Sequence, residues 1–233
     1  MISVVTVNFN SYDFLWLLIE SLERYSSSIY KVIVIDNSDP AKRLRVVHPH
    51  VHQFAMPSNV GHGQGLNMGV TRCLELYPRH KYVMFLDVDC HIVSYNWEQY
   101  FIESMKNYDI IGAKGVTSKP IRPACMFMKR NLATYDWCPS EGFAGNRRTP
   151  GGYDVAIKAY YKIMADGFNI GFMDSKPNRY ETHNGEEYTL GDTPLVYHHW
   201  SGTWLETRQE DFPDIDLKKD KEKLFNKIPW RIP

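Results

Sequence analysis

Two aspartates, Asp87 and Asp89, flank a single valine, Val88, directly after the apolar run Tyr82–Leu86. Carboxylates at i and i+2 just beyond a buried strand can turn toward one cleft. Their oxygens suit a hard divalent cation, Mg²⁺ or Mn²⁺, that bridges diphosphate oxygens and neutralises charge on a departing phosphate group. A third carboxylate, Asp36, closes the run Lys31–Ile35. There it can accept the imide N–H of a uracil or thymine ring, or simply start a turn with Asn37. Backbone around Thr6 to Asn8 can complete such recognition, and Asn8 and Asn10 are polar at the same strand end. The stretch Asn59-Val60-Gly61-His62-Gly63-Gln64-Gly65-Leu66-Asn67-Met68-Gly69 puts glycines at a helix entrance. Glycine there lets backbone approach a ligand closely, and helix N-terminal N–H groups favour anions. It is neither a dinucleotide fingerprint after the first strand nor a Walker loop, so dehydrogenase and kinase readings lose support.

These residues need elements to hold them. Ile2–Val7 reads as a buried parallel strand, followed by a helix that Ser11 would cap and whose Leu15, Leu18 and Leu22 share a face. Lys31–Ile35 and Val51–Ala55 are strands, Gly61–Tyr77 a helix, and Tyr82–Leu86 another buried strand. That order predicts a nucleotide-binding α/β half, with ligands at the carboxyl ends of a mostly parallel sheet. Farther on, Trp97–Lys106 reads as a helix, and Ile110–Val116 and Ala124–Met128 as strands. A polar loop lies between Cys138 and Gly152, and Val155, Ala156, Ala159, Tyr160, Ile163 and Met164 form one helical stripe. Lys176–Gly191 lacks apolar periodicity and reads as a long loop, and Leu195–Tyr197 as a short strand running into His198-His199-Trp200.

The bulk properties fit one domain, 1–210, with a charged, proline-containing tail over 211–233. The chain has 233 residues, 43% hydrophobic and 23% charged, enough for a real core. Its formal charge is zero, 27 basic against 27 acidic residues, which argues against a protein built to grip duplex nucleic acid. The four cysteines form no C-x-x-C pair, and no apolar run approaches the ~18 residues a membrane span needs. The expected setting is cytoplasmic, with no membrane span.

Taken together, Thr6-Val7-Asn8-Phe9-Asn10, Ile35-Asp36-Asn37-Ser38, the Asn59–Gly69 stretch and Asp87-Val88-Asp89 resemble, in order and spacing, family 2 glycosyltransferases, with the rhamnosyltransferase-like branch nearest. The resemblance covers roughly the first hundred residues and implies a GT-A fold, a nucleotide-diphosphate sugar donor (UDP- or dTDP-linked), Mn²⁺ or Mg²⁺, and inversion at the anomeric carbon. Carried over, Asp36 reads the pyrimidine, and Asn67 with the glycine-rich turn (Asn59, Gly61, Gly65) lines the donor cleft. Asp89 holds the metal, and Asp87 contacts metal or ribose. More loosely, Gly151-Gly152-Tyr153-Asp154 resembles the segment that carries the general base. Tyr153 stands where that family commonly has Glu, so Asp154 is the candidate base and Glu141 the reserve. Tyr197–Trp204 resembles the late histidine motif that supplies a further metal ligand, with His198 preferred and His199 second. Trp200 and Trp204 form either a sugar-stacking wall or local core.

The implied reaction is attack by an acceptor hydroxyl on the anomeric carbon. Two other readings stand beside it: a transferase whose acceptor is a modified DNA base, making nucleic acid a partner only as acceptor, and a non-catalytic carbohydrate-binding protein on the same fold. A nucleotidyltransferase ranks lower, since the turn Asn8–Tyr12 holds no Lys or Arg.

Overall fold

The computed structural model describes residues 1–28, 30–114, 121–138, 143–144, 147–148, 155–180 and 183–199. Asp154, Glu141, Trp200, Trp204 and the 211–233 tail therefore lie outside the described residues.

The first apolar run forms β1 (Ile2–Asn8), which pairs in parallel with β2 (Tyr30–Asp36) on one side and β4 (Tyr82–Leu86) on the other. β3 (Val51–Ala55) continues the parallel set beyond β2. A strand paired on both edges and covered on both faces has no solvated side, which is why β1 reads as nearly continuous apolar sequence. Its alternation still sorts two cores. Ile2 and Val4 pack with α1 (Tyr12–Tyr25) and α3 (Trp97–Ser104), while Val5 packs with Leu66, Val70 and Cys73 of α2 (His62–Leu76).

Beyond β4 the sheet changes character. A short strand, β5 (Cys90–Ile92), follows Asp89; β6 (Ile110–Lys114) and β7 (Ile121–Lys129) come after α3. β7 runs antiparallel to both β4 and β6. Phe143–Ala144 and Arg147–Arg148 form the small pair β8 and β9. After α4 (Ile157–Ala165), β10 (Ile170–Tyr180) lies parallel to β6 and turns back through β11 (His183–Leu190) and β12 (Thr193–His198) to β5. The ten-stranded order is β3-β2-β1-β4-β7-β6-β10-β11-β12-β5. The sheet is thus mixed rather than mostly parallel: β1 to β4 pair in parallel, and beyond them, among the described residues, only β6 with β10 does so.

Three further differences from the sequence reading are physical. The supposed loop Lys176–Gly191 is a hairpin, β10 with β11; its inward residues include Glu186 and Thr189, 3% and 1% exposed, so polar burial hides the usual apolar alternation. The stripe from Val155 starts its helix only at Ile157, after Ala156 in a left-handed conformation (φ 68°), and Met164 is exposed. Ser11 does occupy the N-cap of α1, but its hydroxyl donates to the Phe9 carbonyl, not to the helix. Among the described residues no helix is long and apolar enough to cross a membrane.

Candidate active site

Where β1, β2 and β4 end and α2 begins, the chain surrounds a cleft of about 410 Å³. Its walls are Val7, Phe9, Asn37, Asn59, Gly61, His62, Asp87, Val88, Asp89 and His198. The cleft opens on the α2 side of the sheet. Strand alternation therefore presents Val7, Asn37 and Asp87 to it and turns Asn8 and Asp36 the other way.

Asp87 and Asp89 occupy the turn from β4 to β5. The Asp87 amide donates to the Ala124 carbonyl at 2.9 Å, and the Cys90 amide donates back to the Asp87 carbonyl at 2.9 Å. That turn aims the Asp87 carboxylate at His62, whose Nε2 lies 3.1 Å from Oδ1. Burial opposes ionisation of Asp87, but the His62 ring outweighs it, with help from His198, and the carboxyl sits below its ordinary range. The antiparallel pairing of β12 with β5 sets His198 opposite Cys90. This brings His198 Nε2 to 3.5 Å from Asp89 Oδ1. Burial would depress the imidazole, yet Asp89 first, then Glu186 and Asp87, push it up to about 10. A proton held that tightly marks a position that attracts positive charge.

The Asp89 carboxylate, the Cys90 thiol and a His198 nitrogen offer ligand atoms within 4.8 Å of one another. The thiol is buried, donates to the Ala124 carbonyl at 3.4 Å and is pushed well above its ordinary value by burial and the nearby carboxylates. Carboxylate oxygen and imidazole nitrogen remain, a donor set that fits Mn²⁺ or Mg²⁺ chemistry. His199 lies elsewhere: fully buried, Nε2 2.9 Å from His91 Nδ1, its ring against Phe14, and its amide bonded to the Asp89 carbonyl.

Other sequence-picked residues frame the cleft from behind. Asp36 is fully buried and accepts four hydrogen bonds: Tyr12 hydroxyl at 2.7 Å, Gln53 Nε2 at 2.6 Å, the Ser38 amide at 3.1 Å and Asn8 Nδ2 at 3.3 Å. Thr6 and Asn8 are equally buried. Asn10, at φ 54°, accepts the Asp39 amide on its side-chain Oδ1. Asn59 lines the cleft and accepts the Gly61 amide at 2.8 Å. Gly65 faces β1, where a Cβ would lie 2.8 Å from Val7 Cγ2, so it serves helix–sheet packing. Asn67 points to a different segment, donating to Asp136 at 2.9 Å and accepting the Trp137 amide at 3.0 Å. A second cavity of about 190 Å³ shares Asp87 and is walled by Ile121, Arg122, Pro123, Ala124, Val155 and Ile157.

Sequence reasoning passed over His62, Phe9, Asn37, Arg122, Glu186 and Tyr188. His62 stood inside the glycine-rich stretch and was legible there as the first side chain of a helix facing the Asp87 strand end. Glu186 and Tyr188 are placed by pairing distant in sequence, which no local signal reveals.

A mixed α/β sheet whose strand ends carry paired carboxylates and a late histidine defines the GT-A class of nucleotide-sugar folds. The family model for "Glycosyl transferase family 2" matches residues 3–155, and the chain belongs to that family. Among solved structures, residues 1–349 of S. aureus TarS align at 15% identity and TM-score 0.51, covering 89% of this chain and 63% of that one. The mannosyltransferase PcManGT from Pyrobaculum calidifontis, in complex with GDP-Man and Mn²⁺, aligns at 13% identity and TM-score 0.52, covering 73% and 54%. The chain thus spans little more than half to just under two thirds of these relatives. No curated protein matches the sequence.

Proposed function

We propose that this chain transfers a sugar from a nucleoside-diphosphate donor to an acceptor hydroxyl, with a divalent cation at Asp87, Asp89 and His198. The observation that carries this reading is the convergence of Asp89 and His198 at the wall of the cleft, brought about by β5–β12 pairing. The mannosyltransferase that shares the fold is recorded with a nucleotide sugar and Mn²⁺, which agrees with that donor class.

Each group has a part. Phe9, Val7 and Asn37 line the nucleoside end of the cleft, where the Phe9 ring can stack on a base. Gly61, with φ 84°, sets the start of α2, so that the first-turn N–H groups and His62 face the diphosphate. The bound cation supplies Lewis-acid stabilisation of the diphosphate as it leaves. Asp87, Asp89 and His198 are the residues that would hold it. Asp36, through its hydrogen-bonded hub, fixes the strand ends beneath the nucleoside; a uridine or thymidine diphosphate remains the proposed donor from the family resemblance. Asp154 is the proposed base, with Glu141 in reserve. Support for Asp154 is the resemblance of Gly151-Gly152-Tyr153-Asp154 to the segment that carries the base in this family. Deprotonation of the acceptor hydroxyl by that base and attack opposite the leaving group give inversion.

The test is thermal stability with a panel of nucleoside diphosphates, each with and without Mn²⁺. At a hundredfold excess over Kd, binding adds about 2.7 kcal/mol, a rise of roughly 5 °C or more. The expected result is a rise that needs both nucleotide and metal and disappears in Asp89→Ala. No rise with any nucleotide would refute the donor-site reading.

A further inference from the structure

His198 is gripped from behind as firmly as it is presented in front. Its Nδ1 lies 2.8 Å from the Tyr188 hydroxyl and 3.6 Å from Glu186 Oε1. Glu186 sits directly across the β11–β12 ladder from His198, and Tyr188 is two residues along the same face. Tyr188 is fully buried and Glu186 is 3% exposed. Around the Glu186 carboxylate converge Arg122 of β7, the Ser175 hydroxyl of β10 and the Tyr188 hydroxyl, the last at 2.8 Å from Oε1. Four strands thus meet at one buried carboxylate.

The proton count in this network is constrained. Tyr188 has one hydroxyl proton, and it donates that proton to Glu186, an ionised carboxylate paired with Arg122 that can only accept. The Tyr188 oxygen must then be the acceptor toward His198, and Nδ1 must carry a hydrogen. A neutral His198 ring held this way leaves its lone pair on Nε2, the nitrogen that faces Asp89. Metal-ligating histidines are commonly held through their other ring nitrogen, and loss of that support typically weakens metal affinity about 10- to 100-fold.

We propose that Tyr188 and Glu186 are positioning residues for the cation site, fixing the His198 ring with Nδ1 protonated so that Nε2 is the ligand atom. This rests on the cation-site reading given above. Neither residue lines the cleft or the second cavity, and both reach the cation site through His198, so their signature belongs to the metal.

The test uses Mn²⁺ itself, with the free ion counted by EPR and the bound ion probed for ¹⁴N coupling from an imidazole. Tyr188→Phe keeps the ring and its packing while removing the hydroxyl. Its Mn²⁺ dissociation constant is expected to rise about tenfold or more, with an altered ¹⁴N coupling and an unchanged far-UV spectrum. Glu186→Gln is expected to do the same. Should Glu186→Gln fail to fold because Arg122 loses its partner, Tyr188→Phe alone decides. Affinity within twofold of wild type and an unchanged ¹⁴N signal in Tyr188→Phe would overturn the proposal. His198→Ala separates this from the underlying reading. If His198→Ala loses the ¹⁴N signal while Tyr188→Phe is unaffected, only the positioning role falls. If His198→Ala binds Mn²⁺ as wild type does, the cation site itself is elsewhere and both fall.

Discussion

Asp36, which by the resemblance would read a pyrimidine, sits in a hydrogen-bonded hub at the end of β2. With all four acceptor positions of its carboxylate taken, it has little left to offer a nucleobase, and its surroundings suit only an anion. Burial pushes its carboxyl up, but hydrogen bonds from Ser38, Tyr12 and Gln53 outweigh this and hold it below 3.8. A depressed folded pKa means stability that is present above the ordinary value and lost as pH falls through the folded one. In Asp36→Asn an amide N–H₂ must face a donor whichever way it is turned. We expect a loss of about 3 kcal/mol, hence a Tm lower by roughly 6–12 °C at pH 7. Thermal unfolding with and without nucleotide reads this directly; a Tm within 2 °C of wild type would show that the hub contributes nothing. The strand ends were legible in the sequence because buried parallel strands are unbroken apolar runs closed by polar residues. Which polar residue faces the cleft was not, since a continuously apolar strand carries no alternation to assign its faces. Thus Thr6 and Asn8 lie behind the cleft and Val7 and Phe9 line it.

At the scale of elements, α2 does the most to shape the cleft, and it does so by lying close on β1. Gly69 faces Val5, and a Cβ there would overlap the Val5 Cγ1 methyl; Gly65 faces Val7 in the same way. The glycines suggested close approach from sequence alone; at Gly65 and Gly69 what is approached is the sheet, while Gly61 lines the cleft. Gly69→Ala is expected to destabilise by about 1–3 kcal/mol through overpacking. Val5→Ala, which leaves a gap, is also destabilising when made alone. Combined, the two changes should cost less than their sum, because the new methyl enters the space that Val5 vacates. Urea unfolding of the two single variants and the pair measures the coupling, and simple additivity would mean that the helix does not lean on Val5. The β10–β11 hairpin marks the opposite case. Its interior is built around Glu186 and Ser175, so its sequence resembles a solvated loop and only the completed sheet explains it.

Across the whole molecule, the parallel half carries Asp87 and Asp89, and the antiparallel half carries His198. The two halves are joined behind the site where β12 meets β5, and there two buried imidazoles, His91 and His199, share a hydrogen bond of 2.9 Å. Such a pair is satisfied when both rings are neutral, one donating and the other accepting. Burial lowers His91 to about 3. Its ordinary value is 6.5, so in the unfolded chain it takes up a proton that the folded chain refuses. Stability must therefore fall as pH drops from about 6.5 toward 3, by up to ~1.4 kcal/mol per pH unit for this one group. His198 does not mimic the effect, because its raised value keeps its proton through that window; its contribution is lost only as pH rises toward 10. Asp36 and Asp87, with depressed values, contribute their losses only below 3.8. The interval from pH 6.5 to 4.5 thus separates buried imidazoles from these groups; His80, also lowered by burial, titrates alike in wild type and variant and cancels in their comparison. His91→Asn retains a polar side chain but cannot be charged. In the presence of a chelator, its Tm should fall less steeply than that of wild type across the interval, although it starts lower at pH 7 because the ring packing is lost. Parallel curves would mean that the junction between the halves opens to protons without unfolding, and that the cation site is not anchored from behind by a closed core.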